Sequence, residues 1–590
     1  MTGGRAKIVC TIGPASDDRE TIGALAEAGM TVARFNASHG TTAERRDGIE
    51  LVQQVDRNTE TPIATMLDLS GPEVRTTPID EPRDVRAGQT VEFVQGAASR
   101  AGPIGVTAPL DAVGPGDSIL LDDGRIETTV VSVEDGAIHA RVDSGGKIKG
   151  RVGVNVPGVD LGLPVVTDAD EAELDLAADA NVDFVAASFV RSGADVYEVS
   201  AALEERDADI PIVAKIERAD AVANMADIID AAYGVMVARG DLGVECPLED
   251  VPIVQKRIIR RCHLAGVPVI TATEMLDSMI HERRPTRAEA SDVANAVLDG
   301  TDAVMLSGET AVGDHPVRVV DTMARIVADV EASEEYDEAL EQRVPPAETT
   351  RTDALARSAR FLARDIGASA IVAASESGYT ARKAAKYRPS IPIVAVTPSD
   401  RVRRQLALSW GITPVRADYG DGGADEVIQR AVQAALDTGA AASGDTVVVL
   451  SGMMTELEDP NTTNVLKVHV ASETLTSGRS VVAGIVTGPL VRVDDGDLAD
   501  LPENAILAVS REFDGEFAGD LSPLGGIVDG HGGMTGYAAI VARELEVPMI
   551  CDAEVPPDVQ EGSEVTLDAE RGVLYADPLH TDRAIEEGDS

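Results

Sequence analysis

Apolar runs without polar alternation recur along the first half of the chain: KIVCTI (7–12), TVARFN (31–36), IATMLDL (63–69), VDFVAASF (182–189), PIVAKIE (211–217), GVMVARG (234–240), PVITAT (268–273) and AVMLS (303–307). Such runs read as parallel strands covered on both faces. Helix-like segments separate most of them, for example RETIGALAEAG (19–29) and the amphipathic IVQKRIIRRCHLAG (253–266). Strands and helices in that rhythm predict a (β/α)8 barrel of the TIM type over residues 1–75 and 165–343. Polar residues gather where the runs end: Arg34, Asn36, Asp68, Ser188, Lys215, Glu217, Asp241, Thr273 and Ser307. In barrels of this kind the C-terminal strand ends carry the active site.

Two of those ends stand out. IVAKIE places Lys215 two residues before Glu217, and VMVARGDLG places Arg239 two residues before Asp241. A strand turns alternate residues to one face, so each pair is expected to project together, roughly 6–7 Å apart along the strand. A lysine and two carboxylates converging there suit a magnesium ion and a phosphoryl group. The plainer reading is two structural ion pairs at a sheet end.

The texture changes between the third and fourth runs. Residues 76–164 show short alternating strands, many Gly and Pro, and a hairpin signal in VVSVEDGAIHARV, with Asp135-Gly136 as its turn. This predicts a small all-β domain inserted at the catalytic end, where it can act as a lid. VPPAETT (344–350) reads as a linker, and 351–470 again alternates helices with SAIVAAS (369–375), IPIVAVT (391–397) and TVVVLSG (446–452). Within it, Ser375, Ser377 and Thr380 precede or open a helix carrying Arg382 and Lys383. That is either an anion site at a helix N-terminus or ordinary capping by Ser and Thr.

Composition narrows the setting. The chain has 590 residues, enough for three or four domains, with 51 Lys and Arg against 101 Asp and Glu, a net charge of −50. Solubility alone needs magnitudes of roughly 2–8 in a small domain. Such self-repulsion destabilises a compact chain unless salt screens it, which predicts adaptation to a high-salt, halophilic cytoplasm. It also argues against nucleic acid or an anionic membrane as partner. The start, MTGGRAKIVC, shows no signal-peptide core, and no apolar run is long enough to cross a bilayer. Four scattered cysteines without a CxxC make a zinc site or disulfide framework unexpected and fit a reducing cytoplasm.

The motifs KIVCTIGPAS, ARFNASHG, AKIE, VARGDLGVE, ATEMLDSM, PTRAEASDVANAVLDGTDAVMLSGETAVG and SESGYTARKAAKYRP occur in the order found in pyruvate kinases, and residues 5–470 resemble that family. The resemblance implies an α/β protein: a TIM barrel with an inserted small β-barrel domain and a following α/β domain. It implies phosphoryl transfer from phosphoenolpyruvate to ADP, giving pyruvate and ATP. Lys215 matches the lysine that neutralises the moving phosphoryl group, and Glu217 and Asp241 match the Mg2+ ligands. Amides near Gly240 and Asp241 are expected to hold the substrate carboxylate, and Thr273 to stand near the carbon that is protonated. Arg34 matches a phosphate-gripping arginine. Asn36, His39, Arg75 and Arg151 match nucleotide contacts, although the basic pair usual before GVN is Arg151-Val152 here. Asn36, Ser38, Asp68 and the Leu69 carbonyl match K+ ligands, and Glu73 is the residue type that accompanies potassium dependence in this family. The resemblance further implies a homotetramer and, around Ser375, Ser377 and Thr380, a site for a phosphorylated effector. Glu456, Glu458 and Asp459 in the later loop would repel a sugar phosphate.

Residues 472–590 form an extension. GGIVDGHGGMTGYAAIVARELEVPMI (525–550) resembles the mobile, swivelling phosphohistidine domain of phosphoenolpyruvate-utilising enzymes. The carrier histidine of that pattern is Tyr537 here, and His531 lies six residues earlier. The extension is therefore expected to be non-catalytic. Three rival readings are a phosphoenolpyruvate-utilising phosphotransferase of another type, weakened by Tyr537; a metal-dependent barrel aldolase acting on pyruvate, which would not need Lys215, Arg75 and the potassium set together; and a non-catalytic metabolite sensor, weakened by retention of Lys215, Glu217, Asp241 and Thr273.

Overall fold

The computed structural model describes residues 4–79, 81–96, 102–134, 136–419, 424–452, 462–472, 474–493, 496–498 and 500–576. The eight apolar runs become the strands Lys7–Thr11, Met30–Asn36, Ala64–Asp68, Phe184–Ala187, Ile212–Ile216, Gly234–Ala238, Val269–Ala272 and Ala303–Leu306. They pair in parallel and in chain order, and the eighth returns to the first, closing one barrel. Alternate side chains divide between two cores. Val9, Val32, Met66, Phe184, Val213, Met236, Ile270 and Met305 fill the barrel interior. Their neighbours, such as Ile8, Cys10, Ala33 and Leu67, pack against the surrounding helices. Because both faces are covered, the strands carry no polar alternation. Several helices start at reciprocal side-chain caps, Thr41 with Glu44, Thr167 with Asp170 and Thr286 with Glu289.

Between the third and fourth barrel strands the chain builds a six-stranded sheet and a two-stranded one around a common apolar core that includes Phe93, Ile119, Leu121, Ile126 and Val142. Its hairpin pairs Ile126–Glu134 with Ala137–Ser144, the ladder ending with Glu134 opposite Ala137. Asp135, named for the turn, lies outside the described residues, and Gly136 has the positive φ of 81° that such a turn requires.

The following α/β domain contains the three expected strands and two more. Ile412–Arg416 extends the parallel sheet, and Val465–Val470 adds an antiparallel edge. This domain plugs the barrel floor. Leu408 joins the interior cluster, and three arginines reach aspartates beneath the strands: Arg403 to Asp56 at 3.1 Å, Arg404 to Asp183 at 2.9 Å and Arg388 to Asp302 at 3.1 Å. Buried pairs of this kind set orientation, because either charge left alone there is costly.

The extension forms an eight-stranded sheet in which Ile485–Val493, Ala505–Val509, Leu524–Asp529 and Met549–Cys551 run parallel. Tyr537 opens the helix Tyr537–Leu545, and its ring packs edge-on to Phe517 at 5.4 Å. No helix among the described residues is long and apolar enough to cross a membrane.

Candidate active site

At the C-terminal ends of the barrel strands one cleft is lined by Arg34, Asn36, Ser38, His39, Arg75, Lys215, Glu217, Asp241 and Thr273, together with Ser188 and Ser307. Lys215 sits on the fifth strand. Its Nζ lies 2.8 Å from Glu217 Oε1 and 3.3 Å from Asp68 Oδ1, and donates to Ser188 Oγ at 2.7 Å. Burial disfavours its charge, but the carboxylates of Asp68 and Glu217 outweigh burial and hold its pKa above the ordinary value. The ammonium is firmly charged.

Asp68 is fully buried. Its Oδ2 accepts from Arg34 Nε at 2.6 Å, and Arg34 also donates to Thr11 Oγ1 at 2.9 Å. Burial alone would raise the Asp68 pKa, but Lys215 and Arg34 together hold it below the usual carboxylate range. Glu217 differs. Burial, with Asp241 nearby, pushes it up to about 7 despite Lys215 and the N–H of Phe189, which donates to Oε2 at 2.7 Å. Burial also raises Asp241, with Lys215 opposing and the insert's Asp123 adding repulsion. Two carboxylates short of positive charge face the same cleft.

The second charge pair does not form as its spacing suggests. The sixth strand ends at Ala238, and Arg239 and Asp241 belong to the helix Arg239–Glu245, where the period-two argument no longer applies. Arg239 turns away, pairing with Asp292 at 2.7 Å and donating to the carbonyls of Ala272 at 3.0 Å and Thr273 at 2.7 Å. It braces the loop after the seventh strand, where Thr273 and Glu274 both hold positive φ, 68° and 55°. Such backbone is strained for residues with a Cβ and persists only when neighbours enforce it. The Thr273 hydroxyl donates to Ala272 O at 2.7 Å and accepts from the Gly240 N–H at 2.8 Å.

The remaining named residues are placed as follows. Asn36 Oδ1 accepts from the Ser38 N–H at 3.1 Å, and Ser38 Oγ donates to Ser70 Oγ at 3.3 Å. The Leu69 carbonyl accepts from Ser188 Oγ at 2.7 Å. Arg75 pairs with Glu73 at 2.8 Å and donates to the carbonyl of Arg151 at 3.0 Å. Arg151 thus meets the cleft through its backbone, with an exposed side chain and a positive φ of 65°. Ser375, Ser377 and Thr380 belong to the α/β domain. Gly378, not a hydroxyl residue, caps the helix Tyr379–Lys386; Ser377 Oγ accepts from the Tyr379 N–H at 3.4 Å, and Thr380 is buried against Thr463 at 2.7 Å. Glu456, Glu458 and Asp459 lie outside the described residues.

Sequence reasoning missed Asp292 and Asp123. Neither stands at a barrel strand end, and only the closure of helix and insert over the cleft brings them in.

Comparison with known proteins agrees with this arrangement. The pyruvate kinase barrel domain matches residues 4–320, the pyruvate kinase alpha/beta domain 353–469, and the mobile domain of PEP-utilising enzymes 501–572. The chain is 42% identical over 584 residues to a pyruvate kinase of Geobacillus stearothermophilus, covering 97% of this chain and 98% of that one. It is 40% identical over 582 residues to one of Sporosarcina psychrophila, with the same coverage. A crystal structure of a pyruvate kinase from Cryptosporidium parvum superposes with a TM-score of 0.74 at 35% identity, covering 79% of this chain and 96% of that one. A barrel whose strand ends assemble one lysine, two arginines and two carboxylates short of positive charge, on a chain matched along nearly its whole length, belongs to the pyruvate kinase family.

Proposed function

We propose that the cleft around Lys215 is where the phosphoryl group passes from phosphoenolpyruvate to ADP, and that the side chains act as follows. Lys215, held charged 2.8 Å from Glu217, is the observation that carries the assignment. In the transfer, an oxygen of the ADP β-phosphate bonds to phosphorus as the bond to the enolpyruvate oxygen breaks. Charge spreads over the phosphoryl oxygens, and fixed cations stabilise it. Lys215 supplies one positive centre. Arg34, braced by Asp68 and Thr11, aims a second at the phosphate, and Arg75, steadied by Glu73, faces the nucleotide with Asn36, His39 and Arg151. The amides of Gly240 and Asp241 orient the substrate carboxylate. The Thr273 hydroxyl, already ordered by two hydrogen bonds, guides a proton to the enolpyruvate carbon.

Two ions fit the donors present. Glu217 and Asp241 offer hard carboxylate oxygens whose pKa values burial has raised, an imbalance that a divalent cation such as Mg2+ relieves. Bound there, it would neutralise charge on the phosphoryl oxygens. Asn36, Ser38, Asp68 and the Leu69 carbonyl are all oxygen donors, mostly neutral, which suits a monovalent ion such as K+.

Membership of the family supports assembly into a homotetramer. The net charge supports a salt-rich cytoplasm, and the loop at Ser375–Thr380 supports a regulatory site for a phosphorylated effector. The test is pyruvate formation from phosphoenolpyruvate and ADP with Mg2+ and K+ varied. Equal turnover by folded Lys215→Met and wild type would overturn the assignment.

A further inference from the structure

Where the barrel floor meets the α/β domain, a small cavity is lined by His263, Asp302, Arg382, Lys386, Arg388 and Ser409. Arg388 and Ser409 are 3% and 1% exposed. Among the described residues, four buried side-chain atoms of the residues lining this cavity lack a hydrogen-bond partner: Arg382 Nε, Arg388 Nε, Arg388 Nη1 and Ser409 Oγ. All four can donate. An unsatisfied buried polar group is costly, and more so when it is charged.

The surrounding groups cannot answer that demand. Arg388 is pinned by Gly300 O at 3.0 Å and Asp302 Oδ2 at 3.1 Å, with its plane 4.6 Å from the Trp410 ring. Arg382 lies 4.4 Å from the Tyr233 ring. The Asp302 oxygens already accept from Val269 N at 3.0 Å, from Trp410 N at 3.3 Å and from Arg388 Nη2. His263 Nε2 donates to Lys386 O at 2.8 Å, and Lys386 Nζ is taken by Glu348 at 2.6 Å and Asp353 at 3.0 Å. The cavity has room for about one water-sized occupant, too little for a phosphate. A water accepts two hydrogen bonds and must place two protons of its own. A halide accepts from every donor around it and donates nothing.

We propose that this cavity binds one chloride-sized monatomic anion, held by Arg388, Arg382 and Ser409 and locking the α/β domain against the barrel floor. The donors come from the α/β domain, while His263 and Asp302 close the cavity from the barrel side. The site lies at the opposite end of the barrel from the cleft of Lys215, and the inference does not depend on the reaction assigned there.

Crystals of the full chain grown in potassium bromide test this through anomalous scattering. The expected result is a bromide peak within hydrogen-bonding reach of Arg388 and Ser409. Thermal melting in bromide, against potassium glutamate at equal potassium, should show a halide-specific stabilisation. Ser409→Ala shifts its bromide midpoint upward about tenfold, the loss of one hydrogen bond to a charge. A water in the cavity without anomalous signal, or an unchanged midpoint in Ser409→Ala, overturns the proposal. If that variant does not fold, the bromide peak in the wild type decides alone.

Discussion

The Lys215 ammonium and the Glu217 carboxylate, two residues apart at the end of the fifth barrel strand, lie 2.8 Å from each other. Asp68 and Glu217 keep the lysine charged, while burial leaves the Glu217 carboxylate at the margin of ionisation despite the ammonium beside it. Lys215→Met is expected to lower kcat by at least about 10²–10³-fold, the scale for losing one preorganised electrostatic group. It also leaves Glu217 without its cation and Asp68 with Arg34 alone, a loss of about 3–5 kcal/mol for a broken buried pair. Circular dichroism and melting, read beside the assay, separate the two effects.

Potassium should activate turnover at constant ionic strength. Glu73 pairs with Arg75 at 2.8 Å beside the cleft, so Glu73→Lys places an ammonium where the ion's charge is needed. The expected outcome is weaker potassium dependence in this variant, at some cost in nucleotide KM because Arg75 loses its partner. Rates in potassium-free buffer check it.

The net charge of −50 predicts that both Tm and activity rise as KCl is raised. The Debye length falls from about 10 Å at 0.1 M salt to about 3 Å at 1 M, shrinking the repulsion among surface carboxylates. A salt series of thermal melts reads this directly.

His263 gives a pH signature. Burial, with Arg388 adding repulsion, lowers its pKa from 6.5 to about 3. Between those values the unfolded chain binds a proton that the fold refuses, so this group makes stability fall as pH drops below about 6.5. The loss reaches on the order of 5 kcal/mol near pH 3, at 1.36 kcal/mol per unit. His263→Gln should flatten that part of the stability profile, measured by denaturant titration across pH 4–7.

Removing residues 472–590 should leave phosphoryl transfer measurable. The extension has its own apolar cores, around Leu507 and Ile527 and around Ile506 and Leu567. It meets the α/β domain where Val573 and Tyr575 pack against Val470. Tyr537 is engaged with Phe517 and offers no imidazole to carry phosphate. Complete loss of activity in a folded truncation would contradict a non-catalytic role.

Much of this molecule could be read from its residues in order. Short apolar runs closed by polar residues specify parallel strands, because a strand covered on both faces tolerates no polar alternation. Gly136 and the alternation around it announce the insert's hairpin, because the turn needs a positive φ. Lys215 and Glu217 are local neighbours, and the period of a strand is enough to bring them together. The edge strand Val465–Val470 was harder to see, since its partner is chosen across the sheet and it is only half covered.

Tertiary structure alone decided where Arg239 went. The strand stopped one residue before it, and Asp292, 53 positions along the chain, became its partner at 2.7 Å. The same holds for Arg388, Trp410 and Asp302, which meet only when the α/β domain seats on the barrel floor. Periodicity and turn chemistry act over a few residues and are written in sequence order. Ion pairing and cavity formation depend on which surfaces are pressed together, and that is known only once the whole chain has closed.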